Sequence, residues 1–185
     1  MALPRKRPTA KKGSAGRATE SPVPQSGSDG PIIRTLKPAA CLALLRRHAV
    51  GRMAFSFHDR VDITPIHYVF ADDWLFARTS HGAKMTTIRH SPWVAFEVDE
   101  VDSLFDWRSV VVRGTVYEME PVAGRAEVAL WKRGVAQLRK LIPATATEND
   151  PVAFRSVVFG IHIDSMTGRS STSVKRGAAE RKSVP

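Results

Sequence analysis

The sequence has very little cysteine, because Cys41 is the single one among 185 residues. One thiol cannot form a disulfide within the chain, and it excludes a metal site built only from cysteines. Six histidines are present, but none follows a metal-binding spacing such as H-E-x-x-H, so we expect no metal site. The glycine-rich motifs of dinucleotide-binding and nucleoside-triphosphate-binding domains are also missing. We therefore expect no dedicated NAD(P)H-binding domain.

Long apolar runs are missing as well. The apolar run Cys41–Leu45 near the N-terminus is far shorter than the roughly 20 residues that a membrane-spanning helix needs. No apolar segment follows the basic N-terminus, as it would in a secretory signal. The sequence therefore predicts a cytoplasmic protein with no membrane contact.

The positive charge is concentrated at the two ends of the chain. The formal net charge is +10, of which residues 1–30 and 169–185 carry +4 each, whereas residues 31–168 carry only +2. Both ends are rich in Pro, Ser, Gly, Lys and Arg, a composition typical of disorder. We predict basic tails at 1–33 and 169–185 around one domain at 34–168. Contact with nucleic acid is expected to be weak at most and confined to the tails.

Hydrophobic periodicity predicts a mainly β domain. Helical spacing begins at Pro38 and ends near Gly51, and it returns over Gly82–His90 and Ala123–Ile142. Alternating or β-branched runs predict six strands, at Met53–Phe57, Val61–Phe70, Trp74–Thr79, Trp93–Asp99, Trp107–Glu118 and Phe154–Ile163. Most connections are short, so we expect antiparallel pairing in a small barrel with helices packed outside. An acidic loop containing Glu100, Asp102 and Asp106 is predicted between the fourth and fifth strands.

The segment from Phe76 to Lys84 has the composition of a phosphate site. It passes from a strand end through small polar residues into the start of a helix, where free N–H groups favour anions. Arg78 offers a fork of donors, Thr79 a hydroxyl and Lys84 a cation. The alternative is that Thr79 or Ser80 only caps the helix, while Arg78 and Lys84 lie in water.

Five segments taken together resemble the pyridoxamine 5′-phosphate oxidase-like, FMN-binding split β-barrel family, in the branch of nitroimidazole-reductase-like proteins. They span roughly residues 34–168 and are Val50–Phe55, Asp62–Tyr68, Arg78–Lys84, Trp93–Asp99 and Trp107–Gly114. The resemblance implies a six-stranded antiparallel split β-barrel that forms a homodimer, with FMN held between the subunits.

The resemblance also implies a set of cofactor-binding residues. Those for the phosphate are Arg78, Thr79 and Lys84, and those for the flavin ring are Pro65, Ile66, His67, Trp107 and Ser109. The ring contacts on the second strand would be made largely through backbone groups. Structural alternatives stay open: Pro65 as protection of an edge strand, Trp107 as a core or interface aromatic, and His67 and Ser109 as ordinary strand residues.

The activity implied is that of an FMN-dependent oxidoreductase, which passes a hydride or electrons through the flavin to a small molecule. NAD(P)H would reach the flavin from solvent, and no side chain is assigned as general acid or base. There are two alternatives. The cofactor could be a deazaflavin coenzyme in place of FMN, or the protein could bind flavin without catalytic turnover. The C-terminal segment Met166–Ser170 lacks the Arg-rich pattern of true pyridoxamine phosphate oxidases, so vitamin B6 oxidation is not expected.

Overall fold

The computed structural model describes residues 30–58, 60–122 and 124–173, which form seven strands and three helices. The strands are β1 (Ile32–Thr35), β2 (Val50–Phe57), β3 (Arg60–Ala71), β4 (Trp74–Thr79), β5 (Trp93–Ser103), β6 (Asp106–Met119) and β7 (Val157–Thr172). The helices are α1 (Pro38–Arg47), α2 (Ala83–His90) and α3 (Arg125–Leu138). Within the described part of the chain, none of these helices has the length and apolar character needed to cross a bilayer.

The strands form one antiparallel sheet that closes on itself. Their order is β1-β7-β4-β3-β2-β5-β6, and a further pairing of β6 with β7 completes the barrel. Six strands make up this ring, as predicted. The seventh strand, β1, pairs with the far end of β7, beyond the stretch that β7 shares with β4.

The folded domain extends past the predicted bounds of 34 and 168. Ile32 of β1 lies opposite Thr172 of β7, and Thr35 lies opposite Arg169. All four residues of β1 are exposed, so no alternation of buried and exposed residues marks this strand in the sequence. The strand forms through backbone pairing with β7. Predictions about residues 1–29 and 174–185 lie outside the described residues.

Two apolar clusters pack on the two faces of the sheet. Inside the barrel, the buried Tyr68 donates its hydroxyl to the carbonyl oxygen of Leu45 in α1 at 2.8 Å, and its ring meets the edge of Phe96. On the outer face, α3 covers Phe76 with Val135 and Leu138. Because β4 lies between these two clusters, every residue from Leu75 to Thr79 is buried.

Several element bounds differ from those predicted. α3 ends at Leu138, not Ile142, and a run of turns leads from it to β7. α1 ends at Arg47, and Gly51, predicted to end that helix, lies within β2. The predicted acidic loop is instead the end of β5 and the start of β6. There Glu100 accepts a hydrogen bond from Arg47 and lies 2.8 Å from the His48 ring.

Candidate functional site

β3 and β4 separate at one end of the barrel, and this separation opens a cleft. Their pairing covers only Tyr68–Ala71 of β3 against Trp74–Ala77 of β4. The preceding half of β3, Arg60–His67, pairs with β2 on its other side. Its β4-facing edge therefore carries backbone groups that no strand pairs in the described chain. Pro65, which lacks an N–H donor, lies within this half, as expected of a proline in a strand.

The cleft has a volume of about 440 Å³ and is open to solvent. One wall is the unpaired half of β3, and the other is the segment that joins β4 to α2. Its lining residues are Phe55, Asp62, Ile63, Thr64, Thr79, Ser80, His81, Gly82, Ala83, Lys84 and Thr87. Two of the predicted phosphate ligands, Thr79 and Lys84, are thus brought together.

The start of α2 has no side-chain cap. Gly82 is the N-cap residue, and neither Thr79 nor Ser80 caps the helix, contrary to the capping alternative. Gly82 has φ 156° and ψ −174°, a conformation that is essentially restricted to glycine. An added Cβ would meet no atom within 4 Å, so the requirement for glycine is conformational, not spatial. The start of α2 therefore lines the cleft, and its first N–H groups have no side-chain cap among the described residues.

Lys84 is a half-buried cation at this helix start. Burial and repulsion by Arg155 lower the pKa of Lys84 below that of a lysine in water. Among residues 30–58, 60–122 and 124–173, no carboxylate lies within 4 Å of its ammonium group. A half-buried charge without a counter-charge is unfavourable, and a bound anion would relieve it.

Arg78, the third predicted phosphate ligand, forms a buried ion pair with Asp150. Its two terminal nitrogens donate to the two carboxylate oxygens at 2.5 and 3.0 Å. The backbone N–H groups of Ala146 and Val152 donate to the same carboxylate at 2.9 and 3.0 Å. The side chains of Arg78 and Asp150 are only 8% and 4% exposed. The hydrogen bonds from Arg78 hold the pKa of Asp150 well below its usual range, so this carboxylate is charged at neutral pH.

The alternation of a β-strand explains why Arg78 and Thr79 do not act together. Successive side chains point to opposite faces, so Thr79 faces the cleft and Arg78 faces the outside of the barrel near the end of α3. There Arg78 lines a second cavity, of about 210 Å³, with His67, Arg155 and the apolar end of α3. Contrary to the prediction, Arg78 therefore does not converge with Thr79 and Lys84. Arg78 lines a cavity on the outer side of β4, whereas Thr79 and Lys84 line the cleft.

The residues predicted to line the flavin ring divide between the two faces of the sheet. Pro65 and His67 are exposed on the outer face, whereas the side chain of Ile66 lies in the core at 4% exposure. Ile66 therefore has only backbone groups to offer a ligand, as the prediction assumed. Trp107 and Ser109 lie on β6, opposite Ser171 and Arg169 of β7, and neither lines the cleft. Within the single chain they lie toward the opposite end of β7 from Thr79 and Lys84, and their contact with a flavin remains a prediction.

Sequence reasoning missed two charged residues of this region, Asp150 and Arg155. Both lie in the segment between α3 and β7, which has turns and no regular periodicity. The prolines at 143 and 151 marked the segment as a loop, but nothing in its composition indicated that it folds back onto β4. The sequence did hold one signal for Asp150, because Arg78 stands in an otherwise apolar strand. An arginine buried at such a position requires a carboxylate partner.

Comparison with known proteins assigns the chain to a family. The sequence model for pyridoxamine 5′-phosphate oxidase matches residues 37–170. The chain belongs to the pyridoxamine 5′-phosphate oxidase family. The resemblance stated from the sequence is thus confirmed, and so is the split-barrel fold.

The chain is also similar to individual proteins and solved structures. An uncharacterized protein of Rhizobium meliloti is 24% identical over 145 residues, which cover 76% of this chain and 96% of the relative. A crystal structure of a FAD-binding protein from Mesorhizobium loti is 26% identical with a TM-score of 0.62, covering 77% of this chain and 99% of the other. A candidate 5-nitroimidazole antibiotic resistance protein from Bacteroides thetaiotaomicron shares the fold at 16% identity and a TM-score of 0.56, covering 77% and 89% of the two chains.

Removing the charge of Asp150 is expected to destabilise this family member strongly. Asp150→Asn leaves the buried guanidinium of Arg78 without a counter-charge, which costs about 3 kcal/mol or more of unfolding free energy. Because the folded pKa of Asp150 is depressed, its stabilising contribution is complete above the ordinary aspartate pKa. That contribution is lost as the pH falls toward the folded value. Urea denaturation between pH 3 and pH 7 measures both effects.

The control is the paired replacement Arg78→Met with Asp150→Leu, which removes both charges and keeps apolar volume. We expect this double variant to be more stable than Asp150→Asn alone, since no uncompensated charge stays buried. A single Asp150→Asn variant as stable as the parent at pH 7 would show that the ion pair does not hold the loop.

Proposed function

We propose that this protein is an FMN-binding flavoprotein and an oxidoreductase that acts on a small molecule. The observation that carries the proposal is the cleft where β3 leaves β4, with the uncompensated ammonium group of Lys84 beside the hydroxyl of Thr79 and the start of α2. Membership in the pyridoxamine 5′-phosphate oxidase family supports a flavin in this cleft. So does the FAD-binding relative from Mesorhizobium loti.

The polar groups in the cleft suit the three parts of FMN. The ammonium group of Lys84, the hydroxyls of Thr79 and Ser80 and the N–H groups of α2 suit a phosphate dianion. Asp62 and Thr64 on the opposite wall offer oxygens to the ribityl hydroxyls. The edge of β3 beyond them offers unpaired backbone groups to the polar side of the ring, near Pro65 and His67.

The chemistry would belong to the bound flavin, which supplies hydride or electron transfer at its ring. Lys84 and Thr79 would hold the phosphate, and the backbone of β3 would orient the ring. No side chain is assigned as an acid or base. The reductant NAD(P)H and the substrate would both approach the ring from solvent, because the chain has no motif for a dedicated dinucleotide domain.

A homodimer would complete the site, since the cleft of one protomer is open. The outer face of β3 carries an exposed apolar row, in which Val61 is 67% and Ile63 is 68% exposed. Ile63 also lines the cleft. Residues opposite one another in paired strands share a face, and the register β3-β2-β5-β6 places Pro65, Arg52, Glu97 and Val111 on the same outer face. A second copy packed on this face would cover the apolar row and bring its own β6 toward the cleft.

Lys84 is expected to be required for FMN binding but not for riboflavin binding. Lys84→Ala should weaken FMN by about 10- to 100-fold, because a charge-assisted hydrogen bond to the phosphate is lost. Riboflavin, which has no phosphate, should bind the variant and the parent equally. Quenching of flavin fluorescence measures both affinities, with FAD titrated alongside to compare the two phosphorylated flavins. Lys132→Ala, an exposed lysine on α3, is the matched control and should change neither affinity.

The pH dependence gives the same test a second readout. Because the pKa of Lys84 is lowered, its positive charge is lost at a less alkaline pH than that of an ordinary lysine. FMN affinity should fall as the pH rises through that value, whereas Lys84→Arg should keep its affinity to a higher pH. Equal FMN affinity of parent and Lys84→Ala would refute the phosphate site.

Ile63 is expected to lie in the dimer interface. Ile63→Glu would place a charge in an apolar contact and should produce a monomer, with FMN affinity reduced because the cleft stays open. Light scattering after size-exclusion chromatography gives the mass of each species. Val122→Glu is the control, since Val122 is 86% exposed on the turn before α3, away from this face. A monomeric parent, or a dimeric Ile63→Glu variant, would contradict the proposed interface.

A further inference from the structure

The cavity on the outer side of β4, here called the outer cavity, is separate from the cleft and has a volume of about 210 Å³. It lies between the end of α3, the segment that follows α3, and the outer faces of β3 and β4. Its lining residues are the apolar Leu138, Leu141, Ile142 and Val152 and the polar His67, Arg78, Thr145 and Arg155. Sites for drug-sized ligands usually measure about 300–1,000 Å³, so a cavity of this volume suits a smaller molecule.

Two arginines line the outer cavity, and no acidic residue of the described chain does. Asp150, the partner of Arg78, lines a neighbouring cavity and not this one. Arg155 has no carboxylate within salt-bridge distance in the described part of the chain, and its guanidinium lies 5.7 Å from the centre of the Phe154 ring. Because the charges of Arg78 and Asp150 cancel, Arg155 leaves this site with one unmatched positive charge.

Arg78 has hydrogen-bond donors left for a ligand. A guanidinium carries five N–H donors, and the two hydrogen bonds to Asp150 use two of them. No other group among the described residues accepts a hydrogen bond from this side chain. The side chain is only 8% exposed, and an unpaired donor on a buried cation is unfavourable. An acceptor bound in the outer cavity would satisfy such a donor.

The wall that carries Arg155 is fixed by contacts within the protein. The carboxylate of Asp150 accepts hydrogen bonds from the backbone N–H groups of Ala146 and Val152, and the Val152 carbonyl accepts one from the N–H of Arg155 at 2.9 Å. Ala146 has φ 57°, in the left-handed region that a residue with a Cβ rarely adopts. Such backbone persists only where the surrounding contacts determine it, so this wall is formed before any ligand binds.

We infer that the outer cavity binds a small organic monoanion, a carboxylate on a short apolar body. The carboxylate would accept hydrogen bonds from Arg78 and Arg155, since the planar guanidinium matches it in geometry. The apolar body would lie against Leu138, Ile142 and Val152. A monoanion fits better than a phosphate dianion, because only one positive charge is unmatched. The inference goes beyond the proposed function and does not depend on it, since neither arginine lines the cleft.

Isothermal titration calorimetry of the full-length protein with isovalerate tests the inference. We expect saturable binding with a dissociation constant of about 1 mM or lower, which is within reach of a ligand with so few atoms. Isovaleramide has the same shape without the charge and should bind at least about 10-fold more weakly, because charge-assisted hydrogen bonds are lost. Inorganic phosphate, which has no apolar body, should also bind more weakly. A parent that does not bind isovalerate, or that binds isovaleramide equally well, would overturn the inference.

Variants of the two arginines test their roles. Arg155→Ala should weaken isovalerate binding by at least about 10-fold. Arg155→Lys should recover part of the affinity, because it keeps the charge and loses the planar fork. Arg78→Met with Asp150→Leu should also weaken binding, and it leaves no uncompensated buried charge. Arg125→Ala, an exposed arginine at the start of α3, is the matched control and should bind like the parent. Equal affinity of the parent and Arg155→Ala would contradict the proposed site.

The cleft is the other place where a carboxylate could bind, and two measurements distinguish it. Lys84→Ala should leave isovalerate affinity unchanged, whereas Val152→Phe should abolish binding by filling the apolar part of the outer cavity. In methyl NMR spectra, isovalerate should shift the signals of Ile142 and Val152 and not that of Ile63, which lines the cleft. Shifts confined to Ile63, or binding lost in Lys84→Ala, would overturn the inference. Circular dichroism establishes that each variant is folded. A parent that binds isovalerate but no flavin would overturn the proposed function alone.

Discussion

Arg78 and Asp150 are buried as an ion pair, and this pairing determines how the remaining charges at this end of the barrel are arranged. A guanidinium buried to this extent requires a carboxylate with matching geometry, and the two donated hydrogen bonds provide it. The carboxylate belongs to the segment after α3, so the pairing folds that segment back onto β4. The position of Arg155 is one consequence of this contact.

Charge balance distinguishes the cations that are paired within the fold from a cation that has no counter-charge among the described residues. Arg78 is neutralised inside the protein, and Arg52 likewise meets Glu97 and Asp99 on the outer sheet face. Lys84, by contrast, lines the cleft and has no carboxylate within salt-bridge distance among the described residues. A half-buried charge without an opposing charge is unfavourable, which is why this corner of the cleft suits an anion.

The regular parts of this structure were predictable from the sequence, and the irregular parts were not. Alternation and helical spacing predicted β4 at Trp74–Thr79 with the observed bounds and α2 within one residue, because both pack against a defined core. The exposed β1 strand and the far end of β7 were missed because backbone pairing forms them, with little side-chain burial.

The candidate site was predictable only in part, for a related reason. The segment from Thr79 to Lys84 has a local composition suited to anions, and the structure brings those two residues together. The direction of Arg78 depends on Asp150, which lies far along the chain in a loop without periodicity. The local sequence therefore showed which side chains could bind an anion. The tertiary contact between Arg78 and Asp150 accounts for the absence of Arg78 from the cleft.

The central claim is that a flavin phosphate lies in the cleft between β3 and β4, and a crystal structure of the protein with FMN tests it most directly. The expected result is phosphate density within hydrogen-bond distance of the Lys84 ammonium group and the Thr79 hydroxyl, with the ring along the unpaired half of β3. A structure in which FMN binds elsewhere, or in which protein side chains fill the cleft, would contradict the claim.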